Sequence, residues 1–129
     1  MLRFLTVCSL VLAFAVPAQA DNYGGVSSRY RARMIQLIHH YFDHTGYGTT
    51  MVRCADRESG FNPRAVNWAG PVFGLLQIKW PMWAHRGESE HHFQVRMSNP
   101  WRNLELGVLI MRSSVRHHQS PLQAWGGSC

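Results

Sequence analysis

Tyr30, Met34, Leu37, Ile38, Tyr41 and Phe42 recur at steps of three and four, which gathers them on one face of a helix. Ser27 or Ser28 can cap its start by accepting from the free N–H groups of the first turn, and the pattern runs to about His44. After the turn Gly46-Tyr47-Gly48, Thr49 or Thr50 can cap a shorter helix that reaches about Ser59, with Gly60 as its left-handed stop. Residues 61–79, rich in Asn, Gly and Pro, predict a loop that ends in an extended piece, Gly74-Leu75-Leu76-Gln77-Ile78. Residues 81–83 and 88–97 predict two short helices around a loop. Asn99-Pro100 is a strong start, a capping side chain followed by a proline whose missing N–H would have been unpaired anyway. From there Trp101, Leu104, Val108, Met111 and Val115 trace a second buried stripe to about His117. No period-2 run argues for a long strand, so the expected domain is mainly helical, with a short tail from Pro121 that needs a tether.

The first twenty residues do not belong to that pattern. Arg3 precedes an apolar stretch, residues 4–16, that is too short to span a bilayer comfortably, and Pro17 leads into the small-residue site Ala18-Gln19-Ala20. Residues 1–20 therefore read as a secretory signal cleaved after Ala20, with an uncleaved anchor as the alternative. Cys8 follows the bulky Val7 and lies inside the apolar stretch, which argues against lipid attachment. Residues 21–129 make one small domain; at 46% hydrophobic residues in the whole chain, a wholly disordered chain is excluded.

Export changes the meaning of the cysteines and of the charge. Once Cys8 has left with the signal, Cys54 and Cys129 remain as an even pair in an oxidising compartment, which predicts one disulfide over two free thiols. In the chain-entropy model such a bond stabilises the fold by on the order of 4 kcal/mol. The formal net charge is +6, of which Arg3 accounts for one unit, and Lys79 is the one lysine among thirteen cations. A basic exported domain suits an anionic partner such as cell wall, an attraction that salt weakens. Arg29-Tyr30-Arg31-Ala32-Arg33 is a basic cluster, but no nucleic-acid motif accompanies it.

The chemistry lies between Cys54 and Ile78. Arg57-Glu58-Ser59-Gly60-Phe61-Asn62-Pro63-Arg64-Ala65-Val66-Asn67, followed by Gly74-Leu75-Leu76-Gln77-Ile78, closely resembles the catalytic segment of the soluble-lytic-transglycosylase type of lytic transglycosylases, lysozyme-fold enzymes that cleave peptidoglycan. That family's pattern is a helix-terminal Glu-Ser, then Asn-Pro and Ala-Val, then Gly-Leu-Met-Gln-Ile about twenty residues on, and here Leu76 stands for the Met. The resemblance covers roughly residues 30–125 and implies an α+β lysozyme-like fold, mainly helical, with a catalytic helix and a short extended segment lining a cleft. It also implies Glu58 as the catalytic acid, Ser59 holding its loop, Gly74, Leu76 and Gln77 along the sugar cleft, and Asn67 at a small polar position beside it. The family's C-terminal Tyr-Asn-Ala-Gly, whose Tyr supports the acid, is replaced by Ala124-Trp125-Gly126-Gly127. A bond from Cys54 to Cys129 would bring Trp125 back beside the catalytic helix as an apolar wall, or simply into the core.

Independently of resemblance, glycoside cleavage needs a carboxylic acid that holds its proton until it meets the leaving oxygen. Glu58, at a predicted helix C-terminus, sits where unpaired carbonyls disfavour a carboxylate, unless Arg53 or Arg57 shares its face. A hydrolytic lysozyme usually sets a second carboxylate across the bond, and no motif assigns one among Asp43, Asp56, Glu88, Glu90 and Glu105. A lone Glu acting as acid and then base, with the muramic 6-hydroxyl as nucleophile, gives the 1,6-anhydro product that the resemblance implies. Hydrolysis through Glu88 or Glu90 and a catalytically silent wall-binding protein stay open as alternatives, as does membrane disruption independent of Glu58. His39, His40, His44, His91, His92, His117 and His118 form no metal-binding motif and read as solvated, so neither metal nor cofactor is expected. Trp68, Trp80 and Trp83 can stack on sugars or fill the core. Peptidoglycan strands are the expected partner of a monomer in the periplasm or outside the cell, without nucleic acid or stable membrane insertion. Wall remodelling, opening a passage for a secretion or conjugation apparatus, and attack on competitors all suit so small an enzyme.

Overall fold

A computed structural model describes residues 26–127 and 129. The expected signal peptide lies outside the described residues. Helix α1, Ser28–Phe42, starts where the hydroxyl of Ser27 accepts from the N–H of Tyr30 at 3.3 Å, and it buries Met34, Ile38 and Phe42. A single 3-10 turn, Asp43–Thr45, carries the chain into α2, Gly48–Ser59. Neither threonine caps α2: both lie inside the helix, its N-cap is Tyr47 and no side chain caps its first turn, while Thr45 Oγ1 accepts from the N–H of Tyr47 itself at 3.3 Å. Gly60 ends α2 in the left-handed conformation (φ 57°), with its N–H on the carbonyl of Asp56 at 2.9 Å.

Three two-residue strands follow, β1 (Val66–Asn67), β2 (Val72–Phe73) and β3 (Ile78–Lys79), paired antiparallel in the order β1-β2-β3. Val66 faces Phe73 and Phe73 faces Ile78 in the register. The expected extended piece is therefore mostly a turn: residues 74–77 reverse the chain between β2 and β3, and only Ile78 joins a strand. Strands of two residues are too short to display an alternation, so the sheet left no periodic trace. Residues 81–83 form turns instead of a helix, held by the bonds Trp83 N–H to Lys79 and Ala84 N–H to Pro81, at 3.4 and 3.1 Å.

Helix α3, Glu90–Met97, begins two residues later than expected, capped by Ser89, because Glu88 is occupied elsewhere. Helix α4, Pro100–Arg116, is capped by Asn99, which accepts from the N–H of Arg102 at 3.2 Å. Leu104, Val108 and Met111 are buried on it as expected, but Trp101 and Val115 are 55% and 53% exposed. The buried face is turned towards Asn103, Gly107, Ile110 and Ser114, because α4 packs on α1 on one side and receives the 74–77 turn on the other. Ile38, Phe42, Met51, Leu75, Leu76 and Leu104 are fully buried in the single core cluster. After α4 a second 3-10 turn, Gln123–Trp125, leads to Cys129, which is bonded to Cys54 with Cα atoms 4.8 Å apart. The result is a mainly helical domain with a small sheet and one disulfide. Among the described residues no helix is long and apolar enough to cross a membrane.

Candidate active site

Glu58 is the penultimate residue of α2, and everything after it reverses direction. Gly60 and Phe61 both take left-handed backbone (φ 57° and 63°), a rare state for phenylalanine that full burial of its ring holds in place. The hydroxyl of Ser59 lies 3.0 Å from the carbonyl of Ala55 and 2.8 Å from that of Leu75. Its single proton thus serves either the helix or the 74–77 turn, and the second contact ties the end of α2 to that turn.

The turn is fastened from three further sides. Gln77, itself left-handed at φ 48°, sends both carboxamide protons back to the carbonyls of Gly74 (2.9 Å) and Ala65 (3.1 Å). Asn103 accepts from the N–H of Leu76 at 2.9 Å and donates to the carbonyls of Phe73 and Met97, each at 3.2 Å. Trp125 Nε1 donates to the carbonyl of Leu76 at 2.9 Å. Gly74 has to be glycine: its φ is 80°, and a Cβ there would collide with the Met97 carbonyl and the Asn103 amide.

These bonds sort the expected site residues. Leu76 is fully buried and both of its backbone polar groups are used inside the protein, so it shapes the turn and shows no face to a cleft. Trp125 is only 6% exposed and does not stand as a wall beside the acid; an indole N–H going inside needs an acceptor, and the Leu76 carbonyl is that acceptor. Asn67 is exposed on β1 and accepts from the N–H of Ala69 at 3.1 Å. Trp68 beside it is 65% exposed, with its ring edge-to-face on Phe73, whereas Trp80 and Trp83 pack partly buried against the core.

The carboxylate of Glu58 is 26% exposed. Arg57 turns its guanidinium onto Oε1, with Nη2 at 2.7 Å and Nε at 3.1 Å, so a cation does share the face of the acid. Asp56 faces α1, where Arg31 reaches it at 3.4 Å. Glu88 is held by Arg96 through both oxygens, at 2.8 and 2.7 Å, and also accepts the N–H of His85 at 2.8 Å. The Arg96 bonds, with lesser help from His85 and against the desolvation of burial, pull its pKa from 4.5 to about 2. Asn103 and Arg96 were not singled out from sequence; the one sign was a lone Asn three residues into an otherwise apolar helix face.

Two larger cavities, of about 510 and 520 Å³, lie on the flanks of α4 and α1. Neither is lined by a carboxylate, so neither carries an acid for glycoside chemistry. A smaller one, of about 200 Å³, opens between the sheet and α3, with Ala65, Phe73, Gly74 and Gln94 among its walls. Among the described residues no group of three or more His, Cys, Asp or Glu side chains could hold a metal ion.

The arrangement is that of a single acid at a helix end, its following serine tied to a glycine-led turn between two short strands. A family model described as "Transglycosylase SLT domain" matches residues 48–126, from the first residue of α2 to the residue after Trp125, and the chain belongs to this family. It is a transglycosylase-type enzyme of peptidoglycan. Comparison with curated proteins and with solved structures finds no match.

Proposed function

We propose that the protein cleaves the β-1,4 bond between N-acetylmuramic acid and N-acetylglucosamine with Glu58 as its one acid–base group, forming 1,6-anhydromuramoyl ends. Glu58 gives its proton to the bridge oxygen as the bond from that oxygen to the muramic C1 breaks. The 6-hydroxyl of the same sugar then closes on C1 and returns its proton to Glu58, so no water enters. Ser59, Gly74, Leu76 and Gln77 support this from below by fixing the end of α2 against the turn, while Asn67 and the exposed Trp68 ring are the groups available to touch sugar. The observation that carries the reading is the Ser59 hydroxyl bridging α2 to the Leu75 carbonyl, which holds the acid-bearing helix end against a turn of the family's pattern.

Hydrolysis would require a second carboxylate beside a water, and Glu88 is a poor one because Arg96 and His85 occupy both of its oxygens. Digestion of purified sacculi followed by mass spectrometry of the muropeptides separates the outcomes. Anhydro ends support the lyase, reducing ends a lysozyme, and intact sacculi a wall-binding protein. Glu58→Gln is expected to keep the fold and to lose at least about 100-fold in rate; near-normal turnover removes Glu58 from its role. The leader-like residues 1–20 support export to the periplasm or beyond, where a monomer of this size can act on wall remodelling, beside a secretion or conjugation apparatus, or on competitors.

A further inference from the structure

Arg57 touches the far end of the chain as well as its own neighbour. Its Nη2, besides donating to Glu58 Oε1, donates to the carbonyl of Trp125 at 3.1 Å and lies 3.6 Å from Sγ of Cys129. These partners are 68 and 72 residues away in sequence, and they are at hand because Cys129 is bonded to Cys54, one helical turn before Glu58 on α2. Both bonds from Arg57 to the acid end on Oε1; among the described residues no donor reaches Oε2.

A guanidinium is a rigid planar fork, so anchoring one of its nitrogens also sets where the others point. The Arg57 side chain is 50% exposed, and a long exposed side chain with no anchor spreads over many rotamers. The tail removes that freedom. Glu58 is thereby oriented by a residue whose own orientation depends on a disulfide.

We propose that Arg57, held by the disulfide-closed C-terminal tail, is the positioning residue of the acid: it pins Oε1, so that Oε2 is the oxygen that gives and regains the proton. The inference rests on the reading of Glu58 as the acid. Arg57 acts through Glu58 and does not touch the glycan. When Oε2 protonates the bridge oxygen, the bond pair leaves with that oxygen and the new carboxylate forms against a guanidinium already in place. As the 6-hydroxyl oxygen bonds to C1, its proton returns to Oε2, and the cycle closes without another reactant.

The test measures kcat and KM on soluble peptidoglycan glycan oligomers for the wild type, Arg57→Gln, Arg57→Lys, Cys54→Ser/Cys129→Ser, the triple combination and Glu58→Gln, each checked for folding by circular dichroism. Arg57→Gln is expected to lower kcat by about 10- to 100-fold with KM changed by less than about threefold, since misplacing a catalytic group costs rate and not ground-state binding. Arg57→Lys recovers part of the loss. Opening the disulfide lowers kcat when Arg57 is present and has little further effect in the Arg57→Gln background, because both remove the same constraint. Wild-type kcat in Arg57→Gln beside an inactive Glu58→Gln overturns the inference and leaves the acid in its role, as do losses that simply add. Normal turnover in Glu58→Gln instead overturns the acid itself. If the cystine-free protein does not fold, the comparison of Arg57→Gln with wild type still decides.

Discussion

The indole nitrogen of Trp125 donates to the carbonyl oxygen of Leu76 across 2.9 Å, joining the end of the chain to the turn between β2 and β3. Two segments 49 residues apart are thereby joined inside the core, and the disulfide four residues after Trp125 secures the join. Trp125→Phe keeps most of the packing and leaves a buried carbonyl without its partner. It is expected to destabilise the protein by about 1–3 kcal/mol in urea unfolding, whereas Trp125→Ala, which also opens a cavity, costs about 3–5 kcal/mol. A Trp125→Phe protein as stable as wild type would mean that the hydrogen bond contributes nothing.

Asn103 does for the opposite side of the turn what Trp125 does for the tail. Its amide is fully buried, with three bonds to backbone groups that have come inside with it and a longer contact, 3.7 Å, to Sδ of Met97. Asn103→Leu is close in volume but takes the acceptor from the Leu76 N–H and a donor from each of two carbonyls, so a loss of about 2–4 kcal/mol is expected in spite of the gain in hydrophobicity. Amide exchange at Leu76 should accelerate beyond the change at the core of α1, and uniform acceleration would assign Asn103 to general packing instead.

Glu88 makes stability depend on acid. With its carboxyl held near 2 in the fold by Arg96 and near 4.5 once unfolded, the folded state binds fewer protons, so its contribution is complete above about pH 5 and is lost as pH falls towards 2. Glu88→Gln is expected to cost about 2 kcal/mol at pH 7, with the difference from wild type shrinking between pH 5 and 2. A difference that stays constant over that interval would show the ion pair to be without weight.

The Cys54–Cys129 bond closes a span of 75 residues. Reduced protein is expected to unfold with on the order of 4 kcal/mol less stability, read as the shift between oxidised and reduced urea curves. Coincident curves would place the tail's stability in Trp125 alone.

Much of the helical frame was legible in the chain itself. The apolar spacing of α1, the caps Ser27 and Asn99, the stop at Gly60 and the cysteine pair each act within a few residues or by simple parity, so local chemistry suffices to announce them. Where several local signals compete, the chain alone does not decide between them. Thr49 and Thr50 have side chains suited to capping, yet both fall inside a helix that starts at Gly48 and has Tyr47 as its N-cap. Trp101 and Val115 fit a helical stripe, yet the stripe that is buried depends on where α1 and the 74–77 turn press on α4.

The candidate site divides in the same way. A Glu-Ser at a helix end and a glycine-led turn some sixteen residues on can be recognised from residue types and spacing, because backbone conformation restricts which residues fit. That Ser59 meets Leu75, that Leu76 and Trp125 face inward, that Arg57 lies across Glu58 and that Glu88 is engaged by Arg96 were decided by the tertiary structure. Such contacts join residues by their distance in space, and space is set only when the whole core has closed; residue order alone carries the chemistry that is available and leaves open which groups will be its neighbours.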